Sequence, residues 1–281
     1  MVNPYFSMLR QQSEYAGVSH AAVGDPGAPV LVLANSLGTN RRLWSGQVGD
    51  WARDHRIVCF DYPGHGSPVW RETPSIRAIA ARLARLLDHL DVERYAFCGL
   101  SMGGAVGMEL AALHGARLQR LVLSNTAASF GDPAFWTARG ATAVDAGVAA
   151  LADATLARWF TPAFAADNPS VVAFYRAMLC ATEPSGYRWC CNAIRDFDFR
   201  DRLAAIRQPT LVIAGAHDAA TPPAQGRELA AALEGGDYIE LDAAHLGNAG
   251  AAPAFTAAVR AFLADAAQPP TLAGSHDLGQ Q

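Results

Sequence analysis

Apolar and polar positions alternate along this chain in two rhythms. Short apolar runs at 29–34, 56–60, 95–98, 121–123, 209–214 and 238–241 have the length and boundaries of buried strands. Between them, apolar residues recur every three or four positions. In 75–90, Ile76, Ile79, Leu83, Leu86, Leu87 and Leu90 fall on one helical face. Residues 105–114, 224–233 and 253–264 also read as helices. Strands alternating with helices predict an α/β fold with a mostly parallel central sheet flanked by helices.

The rhythm breaks between 130 and 207. That stretch holds Trp136, Trp159, Trp189, several prolines and helix-like pieces, but no strand pattern. It is far too long for a plain loop. It predicts an inserted helical cap, with 1–129 and 208–266 forming the core. Residues 267–281 are rich in Pro, Gly and polar side chains and predict a disordered tail.

Composition narrows the chemistry. About half the residues (51%) are apolar and the net charge is only -4. This suits a globular chain and gives no electrostatic footprint for nucleic acid or an anionic membrane. Every basic side chain besides histidine is arginine. With no lysine in the chain, Schiff-base catalysis and P-loop phosphate binding are excluded. Cys59 and Cys98 lie in strand-like runs and read as buried thiols; Cys180 and the adjacent Cys190 and Cys191 have no framework or metal-site spacing. The first twelve residues lack the apolar segment of a secretion signal, and no run is long enough to span a bilayer. A cytoplasmic protein without metal or cofactor is the expectation, and its oligomeric state is open.

The strongest local signal is Gly99-Leu100-Ser101-Met102-Gly103-Gly104, between a strand run and a helix pattern. This is the context of a GxSxG nucleophile elbow; taken alone, the motif also fits a Gly-rich turn that only caps a helix. Asn35-Ser36-Leu37-Gly38 follows an earlier strand, where such an architecture takes its second oxyanion donor. The expected donors are the backbone N–H groups of Leu37 and Met102. The Ser36 hydroxyl has two readings, facing the substrate or closing the turn. Asp218 follows the run 209–214, and His245 follows 238–241. Nucleophile, acid and base therefore come in the chain order of a Ser–Asp–His triad. Asp132 is the alternative acid. His65 and His217 read as turn-bracing residues, and no His/Cys/carboxylate set has metal-ligand spacing.

These motifs resemble the α/β-hydrolase family, and within it the 3-oxoadipate enol-lactonases of aromatic-compound catabolism (the β-ketoadipate pathway). The likeness runs from about Pro29 to Leu263. Its more specific pieces are Asn35-Ser36-Leu37-Gly38-Thr39, Ser124-Asn125-Thr126-Ala127-Ala128, Arg158-Trp159-Phe160-Thr161, Gly186-Tyr187 and Ala193-Ile194-Arg195-Asp196. The resemblance implies a serine hydrolase that opens a small carboxylated lactone to 3-oxoadipate. Ser36, Trp136, Arg139, Trp159 and Arg195 then line the substrate site, with Arg139, Arg158 and Arg195 as candidate partners for the substrate carboxylate. For each arginine alone, ordinary ion pairing is the competing reading. Two departures stand out. Pro63 occupies a position that is usually arginine, and Gly250 one that is usually glutamate, as though an ion pair had been lost. Other readings are an esterase, lactonase or carbon–carbon hydrolase for another small acid, and a non-catalytic ligand-binding member of the fold.

Overall fold

The computed structural model describes Leu9 and residues 13–264; the other residues up to Gln12 and the tail at 267–281, with their expected roles, lie outside the described residues. The strands are β1 (Ser13–Tyr15), β2 (Val18–Val23), β3 (Val30–Ala34), β4 (Arg56–Phe60), β5 (Tyr95–Leu100), β6 (Leu118–Ser124), β7 (Thr210–Gly215) and β8 (Gly236–Leu241). They form one sheet in the order β1-β2-β4-β3-β5-β6-β7-β8. From β4 to β8 all neighbours are parallel, as the alternating pattern predicted. The hairpin β1–β2 adds an antiparallel edge that the apolar pattern did not reveal.

The crossover helices sit where their sequence punctuation puts them. Helix α1 (Ile76–His89) starts at Ser75, whose Oγ accepts the Ala78 N–H, and it buries Ile76, Ile79, Leu83, Leu86 and Leu87. Helix α2 (Met102–His114) begins three residues earlier than its apolar pattern indicated, and everything from Met102 to Ala111 is buried. Between β6 and β7 the chain is helical: α3 (Pro133–Asp145), α4 (Ala152–Trp159), α5 (Pro162–Asp167), α6 (Pro169–Cys180) and α7 (Pro184–Arg195). A proline in the first turn of α3, α5, α6 and α7 fixes each start, because its missing N–H would have gone unpaired there anyway. The two ends of this stretch meet in a bridge between Ser129 and Asp198, backed by the Phe199 N–H on the Ala128 carbonyl (2.8 Å). Helices α8 (Pro223–Ala231) and α9 (Ala252–Ala264) complete the chain.

No helix among the described residues is long and apolar enough to cross a membrane. Cys59, Cys98, Cys190 and Cys191 are buried free thiols, and burial raises the pKa of each; Cys180 is exposed.

One charge pair lies inside the core. Asp61, just past β4, is 1% exposed and accepts from both the backbone N–H and the guanidinium of Arg41. Arg41 also donates from Nε to the Leu9 carbonyl (2.7 Å). Burial outweighs the pull of Arg41 and lifts the Asp61 pKa to about 6. Stranding one member of such a pair is far worse than removing both. Asp61→Ala is expected to cost about 3–5 kcal/mol of stability. The double variant Asp61→Ala/Arg41→Met is expected to be more stable than Asp61→Ala alone. Urea unfolding of the three proteins checks the order.

Candidate active site

Because β3 and β5 are neighbours while β4 lies on the far side of β3, the sheet has a crevice at their carboxyl ends, where ligands bind in this architecture. The loops after β3, β5, β6, β7 and β8 all leave the sheet at that edge. They carry Ser36, Ser101, Asn125, Asp218 and His245.

Ser101 is the single residue between β5 and α2. Its backbone sits at φ 59°, ψ −116°, a conformation that costs on the order of 1–3 kcal/mol. The glycines around it make the turn possible. A Cβ on Gly99 would come 2.2 Å from the Gly103 carbonyl oxygen, and one on Gly103 would come 2.2 Å from that of Ala34. The turn is held by the Ser101 N–H on the Ser124 carbonyl and by Thr126 Oγ1 on the Ser101 carbonyl, each 2.8 Å.

Asp218 is 3% exposed and its oxygens are saturated. Oδ2 accepts from His245 Nδ1 (2.8 Å), Thr221 Oγ1 (2.7 Å) and Asn125 Nδ2 (3.0 Å). Oδ1 accepts from the N–H groups of Ala220 (2.8 Å) and Thr221 (3.0 Å). Burial alone would raise its pKa, but the His245 ring and these donors outweigh burial and hold it at about 2. The carboxylate therefore stays ionised and orients the His245 ring through Nδ1, an arrangement in which Nε2 can serve as a base.

Ser101 and His245 line one pocket with Ser36, Leu37, Phe135, Trp136, Arg139, Arg158, Trp159 and Tyr187. No hydrogen bond joins Ser101 Oγ to the imidazole among the described residues; such contacts commonly tighten only when substrate binds. Neither the Leu37 nor the Met102 N–H has an acceptor among the described residues, so both expected oxyanion donors are available. The carbonyl of Ser36 takes the Thr39 N–H and hydroxyl, which closes the turn without the Ser36 side chain.

Histidine 65 has more to do than brace its own loop. Its Nδ1 donates to the Pro63 carbonyl (2.7 Å), and its Nε2 accepts the Gly38 N–H (3.0 Å), one residue past Leu37. Complete burial lowers its pKa to about 4, so it is neutral and keeps this acceptor. It also stacks on Tyr187, whose hydroxyl accepts from Arg139 Nε (2.8 Å).

The base loop rests on the helical insertion. The His245 and Leu246 N–H groups donate to the carbonyls of Arg158 (3.2 Å) and Trp159 (3.1 Å) at the end of α4. They satisfy two carbonyls that every helix C-terminus leaves unpaired. The negative end of that helix also favours an imidazolium beside it.

Some expected residues lie elsewhere. Arg195 does not line the pocket: at the end of α7 it faces outward and clasps Asp196 through Nε and Nη2, each 2.7 Å. Asp132 caps α3 by accepting the Ala134 N–H (2.8 Å) and is exposed, away from the histidine. His217 pairs with Asp242 at the surface (2.9 Å). Pro63 and Gly250 lie in different surroundings. Gly64 packs backbone to backbone against Gly186, whereas Gly250 lies against Ala243 and lines a separate surface cavity of about 630 Å³. Nothing in the structure joins them as halves of one ion pair. Among the described residues, no three His, Cys, Asp or Glu side chains gather as a metal would require.

Comparison with known proteins identifies the family of the fold. The profile of the alpha/beta hydrolase fold family matches residues 29–250. A 3-oxoadipate enol-lactonase 2 from Acinetobacter baylyi is 34% identical over 88% of this chain and 92% of its own. A protein from Pseudomonas syringae pv. syringae, named as a RutD carbamate hydrolase, is 33% identical over 84% of this chain and 94% of its own. The crystal structure of the enol-lactonase from Burkholderia xenovorans LB400 superposes with a TM-score of 0.87 at 41% identity, covering 90% of this chain and all of that one.

Asp218 and His65 are held with pKa values of about 2 and 4, so neither titrates above pH 5. Neither group is therefore expected to contribute to the fall of kcat/KM on acidification from pH 9 to 5. His65→Asn is expected to lower kcat roughly tenfold through the loosened Gly38 loop and to leave that limb in place. A pH profile of both proteins decides it; a displaced limb would make His65 the titrating group.

Proposed function

The chain belongs to the α/β-hydrolase family, and we propose that it is a serine hydrolase that opens a small carboxylate-bearing enol-lactone, of the 3-oxoadipate enol-lactone type, through an acyl-enzyme. One observation carries this reading. The pocket that holds Ser101 and His245 also holds Arg139, a half-buried guanidinium with no carboxylate partner among the described residues. Its Nε and Nη2 donate only to the hydroxyls of Tyr187 (2.8 Å) and Thr155 (2.5 Å). The rest of a five-donor fork is left for an anion. Arg158 stands at the rim, stacked on Phe135 (4.9 Å), also without an acidic partner.

In this reading His245 Nε2 takes the Ser101 proton as Oγ attacks the lactone carbonyl. The Leu37 and Met102 N–H groups receive the oxyanion, each contributing up to about 3–4 kcal/mol. Collapse breaks the ring C–O bond; the enol oxygen takes the proton from His245 and tautomerises to a ketone. Water, deprotonated by His245, then cleaves the acyl-enzyme and releases the acid. Asp218 stays ionised throughout and steadies the imidazolium. Trp136, Trp159 and Ser36 supply the walls. The free space between the side chains is about 50 Å³, well below the few hundred usual for such sites. A small ring suits that space better than a bulky ester.

Replacing Ser101 by Ala is expected to remove several powers of ten from kcat, and Asp218→Asn about 10⁴-fold through the wrong histidine tautomer. The substrate class is tested by kcat/KM on the acidic enol-lactone, its methyl ester and a small carbamate. The acid is expected to be preferred. Arg158→Gln, which disturbs only a stacking contact, is expected to erase roughly tenfold of that preference without harming the ester. Equal rates on acid and ester would point to a general esterase, and a preferred carbamate to the other group of relatives.

A further inference from the structure

Three loops carry the triad, and one side chain touches two of them. Asn125 follows the last residue of β6, where its own N–H donates to the Ile213 carbonyl of β7 (2.7 Å). Its Nδ2 lies 3.0 Å from Asp218 Oδ2 and 3.3 Å from the carbonyl of Ala244, the residue before His245. Its Oδ1 accepts from Ser124 Oγ (2.8 Å). The orientation of the amide is forced by chemistry: an ionised carboxylate and a carbonyl only accept, so the NH₂ end must face them. Asn125 is 2% exposed, so no water replaces a contact that is lost. Its backbone sits at φ 46°, in the left-handed region that Asn tolerates better than most residues.

We propose that Asn125 is a positioning residue of the triad, whose amide pins the Asp218 carboxylate in the plane of the His245 ring and ties it to the loop that bears that ring. The inference rests on the Ser101–His245–Asp218 reading. Without the amide, Asp218 keeps its bonds to His245, Thr221 and Ala220 but loses the donor that also holds the Ala244 carbonyl beside the ring. The freed Oδ2 also holds more negative charge and stabilises the imidazolium more strongly, because a donor to a carboxylate lowers its basicity. The other charged groups facing His245 are Arg139 and Arg158 across the pocket; His217 and Asp242, at the surface, pair with each other.

The test uses two variants that both accept the left-handed backbone. Asn125→Gly deletes the amide and keeps the turn. Asn125→Asp keeps the shape but sets a second carboxyl against Asp218. Expected for Asn125→Gly is a roughly tenfold to hundredfold loss in kcat, a KM within about twofold, and an acid limb moved to higher pH. Asn125→Asp is expected to move the limb in the same direction and to lower the melting temperature, because two carboxyl groups then meet in a buried site. A limb that stays where it is in both variants overturns the proposal, even if kcat falls, since that pattern marks a general loosening. Ser101→Ala, measured alongside, separates the two levels. If it retains activity, the triad reading itself is wrong. If it is inactive while both Asn125 variants match the parent, only the role of Asn125 is refuted.

Discussion

Everything in this site follows from how closely α2 is pressed against the sheet at Ser101. The helix begins at the residue after Ser101, so strand and helix cross with no loop between them. Such a crossing leaves no room for side chains at Gly99 or Gly103, and a Cβ on Gly104 would meet Thr126 at 2.6–2.7 Å. In return the serine stands at a helix N-terminus with a free N–H beside it, from Met102. The strain at Ser101 is carried by neighbours whose bonds are all made. Ser124 and Thr126 hold the elbow from β6, and the same three-residue segment supplies Asn125 to the acid. The end of one strand thus references Ser101 and Asp218 to each other.

The helical insertion is joined to this machinery rather than laid over it. The base loop hangs from the last carbonyls of α4, and the neighbouring side chains Arg158 and Trp159 face the same pocket. On the opposite side Gly64 and Gly186 pack backbone to backbone, and the Glu183 N–H reaches the Gly64 carbonyl (2.8 Å). His65 connects that seam to the Gly38 turn, and through Tyr187 to Arg139. A displacement of the insertion is therefore felt by the oxyanion loop on one side and the base loop on the other. In the proposed reaction, residues that bind the substrate's remote end share hydrogen bonds with those that react, so a remote contact would affect the chemistry.

The strands that build the crevice were legible because buried parallel strands read as unbroken apolar runs. The hairpin β1–β2 was not, since β1 has only three residues and β2 mixes Ser19 and His20 into its buried face. The start of α2 was hidden for a different reason. Gly103, Gly104 and Gly107 look like helix breakers, yet they are what lets the helix approach β3 and β5. Ser101, Asp218 and His245 could be picked out because each follows a strand in a fixed chain order. Asn125 and His65 could not, because their partners lie 93 and 27 residues away and no local pattern encodes such a contact. Arg195 misled for the converse reason: the residue that satisfies it is its neighbour Asp196.

In the proposed reaction a substrate carboxylate would matter for a reason beyond recognition. Asp218 is the carboxylate in contact with His245, and its oxygens are fully engaged by donors. Arg139 and Arg158 line the same pocket as the imidazole, and neither has an acidic partner among the described residues. Turning His245 into an imidazolium adds a third positive charge to that space. Like charges 4 Å apart repel by about 4 kcal/mol at an effective dielectric of 20, and by less at greater separation. The C-terminus of α4 and Asp218 offset part of this. A substrate carboxylate seated on Arg139 and Arg158 cancels the remainder when the proton moves, and it is present only when substrate is bound. A neutral ester of the same shape leaves both cations unscreened as the imidazolium forms. In the proposed reaction, then, the group that anchors the substrate also lowers the cost of charging the base.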